Sequence, residues 1–204
     1  KARPDYSFLS EEIGEIEGKN KNHRWIIDPI DGTLNFLHGI PHFAISVALE
    51  KEKEIICGVI YDPIKDELFF AEKNQGAFLN NKKIRVSKRK SIKDCMLFTG
   101  GPSAKYDNKE MCLEEYNKIS NFLKSPLRKM GSAALDMAYV AAGRTDGFFQ
   151  RNLSYWDIAA GIIIIKEAGG IISDFSGNKE FIEKKNIIAT NSYINRELIN
   201  LLKT

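Results

Sequence analysis

Cysteine is scarce in this chain. Its 204 residues include three, Cys57, Cys95 and Cys112, and no two of them stand in C-x-x-C spacing. So sparse and odd a set excludes a disulfide scaffold and a zinc knuckle, and it points to a reducing, cytoplasmic setting. Histidine is equally rare. His38 and His42 are four apart, but Gly39 and Pro41 between them break the helix that a zinc pair would need, so both are read as structural. Long apolar runs are missing. The longest, Ile158 to Ile165, is far short of the ~20 residues of a membrane-spanning helix. No apolar stretch follows Lys1-Ala2-Arg3-Pro4-Asp5, so no signal peptide is expected there, and the first residue is not Met. Charge imbalance is small. A net +3 does not by itself argue for a nucleic-acid or membrane partner.

What remains is an ordinary globular composition, 43% hydrophobic and 28% charged, enough for one large domain or two small ones. Strand and helix patterns alternate, so the class is α/β or α+β. Trp25-Ile26-Ile27 is a short strand that Pro29 should stop, because proline fixes φ and removes a donor. Residues 42–50 and 55–61 are rich in β-branched and apolar types around Lys51-Glu52-Lys53-Glu54, a hairpin pattern. Further strands are expected at 67–71, 77–79 and 84–86. A basic stretch from Lys82 to Lys93 follows. It reads as a solvated connector or as a nucleic-acid patch, the latter weakened by the lack of interleaved aromatics. The second half reads strand 96–99, helix 108–123, strand 127–130, helix 132–142, strand 146–150, helix 157–168, strands 170–173 and 187–190, and helix 194–202. Ala134, Leu135, Ala138, Tyr139 and Ala142 recur on one face of the second of these helices, and Gly143 ends it. The expected division is 1–93 and 94–204.

Four elements have the residue types for chemistry. In Asp28-Pro29-Ile30-Asp31-Gly32-Thr33, two carboxylates are three apart in a turn. Carboxylates ~4 Å apart repel by roughly 4 kcal/mol at an effective dielectric of about 20. A proton, a basic partner or a metal must offset this. Carboxylates with a backbone carbonyl between them suit a hard cation such as Mg²⁺. Gly32 allows close approach, and the amides after it are placed for a phosphate. Alone, the hexapeptide is read equally well as a good turn. Ser10-Glu11-Glu12 is a solvated pair or a further source of oxygen ligands. Asp157, at the start of an almost wholly apolar helix, is an N-cap or a buried acid in need of a partner. Arg128 and the Gly131-Ser132-Ala133 helix entry make an ordinary cap or an anion site.

These elements, in this order, resemble the inositol monophosphatase family. The residues that carry the resemblance are W-I-I-D-P-I-D-G-T-L-N-F (Trp25 to Phe36), W-D-I-A-A-G-I-I-I-I-K-E-A-G-G (Trp156 to Gly170) and A-E-K-N-Q-G-A-F-L-N. The stretch G-S-A-A-L-D-M-A-Y-V-A-A-G-R-T-D-G-F-F (Gly131 to Phe149) is similar to its bacterial, extragenic-suppressor branch. The resemblance implies a layered α-β-α-β-α sandwich and Mg²⁺-dependent hydrolysis of inositol monophosphate, sensitive to lithium, with two or three metals per site. It implies metal ligation by Glu11, Asp28, the carbonyl of Ile30, Asp31 and Asp157, and water orientation by Thr33. Phosphate would rest on the Gly32 and Thr33 amides, and Arg128, Gly131, Ser132, Ala133 and Gln150 would line the sugar side. Family members commonly have glutamate where Gln150 stands, which loosens the inositol preference. They also carry two helices ahead of the Glu11 element, with a Thr-Asp pair that assists Thr33 and a lysine near the outer metal. None of these is in this sequence. A homodimer is the family expectation. Relatives that act on nucleotide bisphosphates or fructose bisphosphate, and members that bind RNA or the transcription machinery, supply the alternatives.

Overall fold

A computed structural model describes residues 3–101 and 109–203. The first half builds one eight-stranded sheet. Its strands are β1 (Tyr6–Ser10), β2 (Gly14–Ile16), β3 (Asn20–Asp31), β4 (Ala44–Lys51), β5 (Glu54–Asp62), β6 (Glu67–Glu72), β7 (Gly76–Leu79) and β8 (Lys82–Ile84), with the short helix α1 (Thr33–Leu37) after β3. The spatial order is β2-β1-β3-β4-β5-β6-β7-β8, and only β1 with β3 is parallel. The expected β4–β5 hairpin is present. Lys51 pairs with Glu54, and Glu52 and Lys53 take φ of 51° and 66° in a two-residue turn.

Pro29 does not stop β3 as expected. The strand runs on to Asp31 through a register shift between Asp28 and Asp31, so the missing proline N–H falls in a bulge rather than in the ladder. Strands β1 and β2 are additions, since neither carries a clear apolar alternation.

The second half contains a 3-10 turn (Ile92–Asp94), β9 (Leu97–Thr99), α2 (Lys109–Phe122), α3 (Ala133–Ala141), β10 (Gly147–Arg151), α4 (Tyr155–Glu167), β11 (Ile171–Ser173), β12 (Asn186–Thr190) and α5 (Asn195–Leu202). These strands form a second sheet in the order β11-β12-β10-β9. The strand expected over 127–130 is a single bridge of Arg128 to Phe98, because Gly131 at φ 89° turns the chain away. The helix expected from Asn108 is described from Lys109; Asn108 itself lies outside the described residues.

Alternation explains the layers. In the second sheet Phe98, Phe148 and Ala189 join the core with α3 and α4, while Leu97, Phe149 and Ile188 join the core with Ile119 of α2 and Leu198 of α5. The order is therefore sheet, α3/α4, sheet, α2/α5, four of the five layers of the sandwich. Helix α4 lies between the sheets, which is why Ile158 to Ile165 are all buried. The other face of the first sheet carries the cross-strand row Ile27, Val47, Val59, Phe70 and Phe78, and among the described residues no helix covers it.

Small residues set how closely α4 approaches. A Cβ on Gly58 of β5 would lie 2.6 Å from Ile163 Cγ2 and 2.8 Å from the carbonyl oxygen of Ala160. Gly58→Ala should therefore force α4 off the sheet and lower stability by about 1–3 kcal/mol, read from chemical denaturation. A midpoint equal to the unsubstituted protein's would show that the contact yields freely.

Candidate active site

Three chain segments converge at the end of β3. The bulge lets Asp28 Oδ1 accept a hydrogen bond from the Ile30 amide (3.0 Å). Gly32 follows at φ 92°, where an L side chain is strained, and a Cβ there would lie 3.2 Å from the carbonyl oxygens of Gly131 and His42. The turn is thus pressed against the entry to α3. Asn35 ties the same two segments together, its Nδ2 donating to the His42 and Met130 carbonyls at 2.7 and 2.9 Å.

The start of α3 holds Asp31. Its Oδ2 accepts from the Ala134 amide (2.9 Å) and from the Ser132 hydroxyl, and Ser132 Oγ also caps the helix through the Leu135 amide (3.3 Å). The start of α4 holds Asp157, which is not the N-cap. Ser154 occupies that place, and Asp157 reaches back from the first turn so that its Oδ2 accepts from the Ser154 amide (2.7 Å). A helix entry accounts for part of each acid, and the rest of each faces the other two.

Asp28, Asp31 and Asp157 each offer an oxygen within 4.8 Å of the others. Asp28 is 1% exposed and Asp31 8%. Burial, then the charges of Asp31, Glu11 and Asp157, push Asp28 up to about 8. Burial raises Asp31 to about 6, with the Ser132 and Ala134 hydrogen bonds working against it. Burial and Asp31 raise Asp157 to about 7. Glu11 is exposed, but its charge bears on all three aspartates, which places it on the same side. Its amide donates to the Ile27 carbonyl at 3.3 Å, so β1 and β3 bring it there. Crowded carboxylates of this kind fit hard divalent cations.

A cavity of about 390 Å³ opens beside the cluster. Asp31, Asp157, Gly131, Ser132, Ala133 and Gln150 line it. Arg128 does not. Its backbone is engaged with Leu97 and Thr99, its side chain is exposed, and Lys129 lines the cavity instead. Thr33 is exposed at the start of α1 and donates its hydroxyl to the Ile30 carbonyl (3.0 Å). His42 packs edge-on against Tyr139, and His38 is exposed at the end of α1. A larger cavity of about 490 Å³, lined by Glu15, Arg24, Glu50 and Lys53, contains none of these groups.

Sequence reasoning missed Lys129, Asn152 and Asp136 on the cavity wall. Asp136 left a signal, since it is the one charge in the otherwise apolar run Ala133–Ala141. Burial, then Asp31, hold its carboxyl well above the usual range.

The model of the inositol monophosphatase family matches residues 1–203. The chain belongs to the inositol monophosphatase family. An inositol-1-monophosphatase of Mesorhizobium japonicum is 47% identical over all of this chain and 76% of the relative. The Nus factor SuhB of Escherichia coli is 41% identical over 98% of this chain and 74% of its own length. Among solved structures, extragenic suppressor protein suhB of Bartonella henselae superimposes with a TM-score of 0.96 at 49% identity, over all of this chain and 78% of that one. SaIMPase-II with inositol monophosphate bound gives 0.86 at 28% identity, over 98% and 76%. Family membership agrees with the two long motifs, which contain the aspartates that the fold brings together.

Proposed function

We propose that this protein hydrolyses a phosphate monoester with Mg²⁺, and that its substrate is an inositol monophosphate. The observation that carries this reading is the set Asp28, Asp31 and Asp157, the first two buried and the third half-buried, with mutual oxygen distances within 4.8 Å, beside a polar cavity. Glu11, the three aspartates and the Ile30 carbonyl are the groups that would hold two or three Mg²⁺ ions. Bound there, Mg²⁺ supplies Lewis-acid stabilisation of phosphate charge and a water made nucleophilic at neutral pH.

The chain's own residues do the rest. Thr33 gives its hydroxyl proton to the Ile30 carbonyl, so its oxygen is left with lone pairs that can accept from, and so orient, an attacking water. The amides of Gly32 and Thr33 form a turn fit to cradle phosphate. Gly131, Ser132, Ala133 and Gln150 face the alcohol, with Lys129 in the place expected of Arg128. The SaIMPase-II complex, with inositol monophosphate bound on the same fold, supports the substrate.

The test is a phosphate-release panel of inositol, sugar, nucleotide and fructose-bisphosphate substrates with Mg²⁺, with and without lithium. Inositol monophosphate should lead and lithium should inhibit. A panel without Mg²⁺-dependent release would sink the reading. Gln150→Glu should shift preference among polyol phosphates several-fold while leaving an aryl phosphate within about twofold, since Glu adds a charge only where hydroxyls are read. Equal effects on both substrates would remove Gln150 from that role.

A second reading, contact with the transcription machinery, is favoured by the relatives named Nus factor SuhB. It draws on the run Lys82 to Lys93, but part of that charge is already engaged. Arg89 pairs with buried Asp146 (2.9 Å), and Lys90 and Lys93 lie over the rings of Tyr193 and Phe122. Leu34, Phe36, Leu37 and Ile40, on and just after α1, are all exposed, which supports the expected homodimer. No helix of the described residues is long and apolar enough to cross a membrane.

A further inference from the structure

A separate cavity of about 270 Å³ opens along α4 and shares no lining residue with the one beside the aspartates. Tyr155, Ile162 and Lys166 stand at a spacing that puts them on one face of the helix. Ile55 of β5, Ile172 of β11 and the pair Phe181-Ile182 complete an apolar floor. Ile55, Ile162, Ile172 and Phe181 are buried and close it from below, while Tyr155 and Ile182 are half-buried and keep accessible surface. Three lysines line the same cavity: Lys53 in the β4–β5 turn, Lys166 in the last turn of α4, and Lys179 between β11 and β12. All three are exposed, and among the described residues none makes an ion pair. Glu54 is the one acid in the described lining, and its Oε2 is held by Lys73 at 2.6 Å. Partial loss of water around Lys166, then the charge of Lys179, push Lys166 below its ordinary value, with Glu54 working against them. The C-terminal end of a helix favours one cation, but it does not account for a second one brought up against the first.

We propose that this cavity binds a small amphipathic anion, an aliphatic chain ending in a carboxylate, with the chain on the Ile/Phe floor and the head among Lys53, Lys166 and Lys179. Charge complementarity fixes the head, since the lysines outnumber the one acid of the lining and that acid is already paired. The floor fixes the body. A polyol phosphate would leave Ile162, Phe181 and Ile182 in contact with hydroxyls, and a neutral chain would leave the lysines without a counter-charge. Concavity favours a small molecule over a lipid surface, because a bilayer is met by a protruding or flat apolar face rather than by a hollow. The site stands apart from the aspartate cluster and does not depend on what that cluster hydrolyses.

The experiment is calorimetric titration of the protein, in Mg²⁺, with octanoate, hexanoate, butanoate and 1-octanol. Octanoate should bind at one site per chain. Each methylene added from butanoate to octanoate should tighten binding by about twofold to fourfold, as expected for a chain that leaves water. 1-Octanol, which has the body without the charge, should bind at least about tenfold more weakly than octanoate. The double variant Lys166→Gln/Lys179→Gln should weaken octanoate by about tenfold or more and leave 1-octanol unchanged. Phosphate release by the same variant, expected within about twofold of normal, checks that the fold and the aspartate cluster are intact, since neither lysine lines that cavity. Octanoate binding that survives in the double variant would place the carboxylate elsewhere, for instance on the Mg²⁺ ions, and would overturn the proposal. Equal affinity for butanoate and octanoate would also overturn it, because the floor would then take no part. So would failure to bind octanoate together with retention on phosphatidylglycerol vesicles, which would make the lysines a membrane-facing patch.

Discussion

Asp31→Asn and Asp157→Asn should each abolish Mg²⁺-dependent phosphate release while the fold survives. Each removes a full negative charge from a cluster that, on the proposed reading, exists to hold two or more dications. An amide oxygen of the same shape is a much weaker ligand for a hard cation. The loss should be on the order of a thousand-fold, like that from removing a key transition-state contact, or about 4 kcal/mol of barrier. Folding should tolerate both changes, because the substituted side chains still accept hydrogen bonds. The Ala134 amide and Ser132 hydroxyl can donate to an amide oxygen at position 31, and the Ser154 amide to one at position 157. Phosphate release and far-UV circular dichroism, measured on the same samples, check the two halves of the expectation. Near-normal turnover in either variant would mean that the cluster does not hold the metals.

The chelated protein should lose stability as pH rises, against the usual behaviour of carboxylates. The sign follows from the direction of the shifts. Asp28, Asp31 and Asp157 have folded-state values of about 8, 6 and 7, all above the unfolded reference of 3.8. A carboxyl raised on folding binds its proton more tightly in the native state. Its contribution is whole below about pH 4 and is lost as pH climbs through the folded value. Between pH 4 and 8 the metal-free protein should therefore weaken by several kcal/mol, an order-of-magnitude figure for such coupled groups, or ~10 °C in Tm. Mg²⁺ should restore the loss at pH 8 and do little at pH 5, where protons compete for the same oxygens. Thermal melts in chelator and in Mg²⁺ across this range decide it. A chelated protein most stable at pH 8 would show that the aspartates are not crowded as described.

Much of the fold was legible along the chain. The hairpin of β4 and β5, the buried helix α4 and the periodic face of α3 all follow from apolar spacing, a local property. The site's ingredients were legible as residue types, but Asp28, Glu11 and Asp157 each had a bland reading alone. What failed was local reasoning about non-local outcomes. Pro29 was expected to end a strand, yet β4 pairs on both sides of it and places it in a bulge. The charge of Arg128 points to the sugar side; its backbone pairs with β9, and it is its neighbour Lys129 that lines the cavity. Asp136 is legible only as the one charge in an apolar helical run; its burial follows from the sheets closing over that helix.

Read alone, the chain specifies most of its elements, its family and the acids available for chemistry, since periodicity and motif are written in neighbouring residues. Only the tertiary structure decided which acids meet. A metal cluster depends on three carboxylates from two distant segments lying within 4.8 Å. That distance is set by the bulge in β3 and the entries of α3 and α4, held together by a core that spans both sheets. The same closure turned the Asp28–Thr33 turn into a wall of the site and left one oxygen of Asp136 without a partner among the described residues.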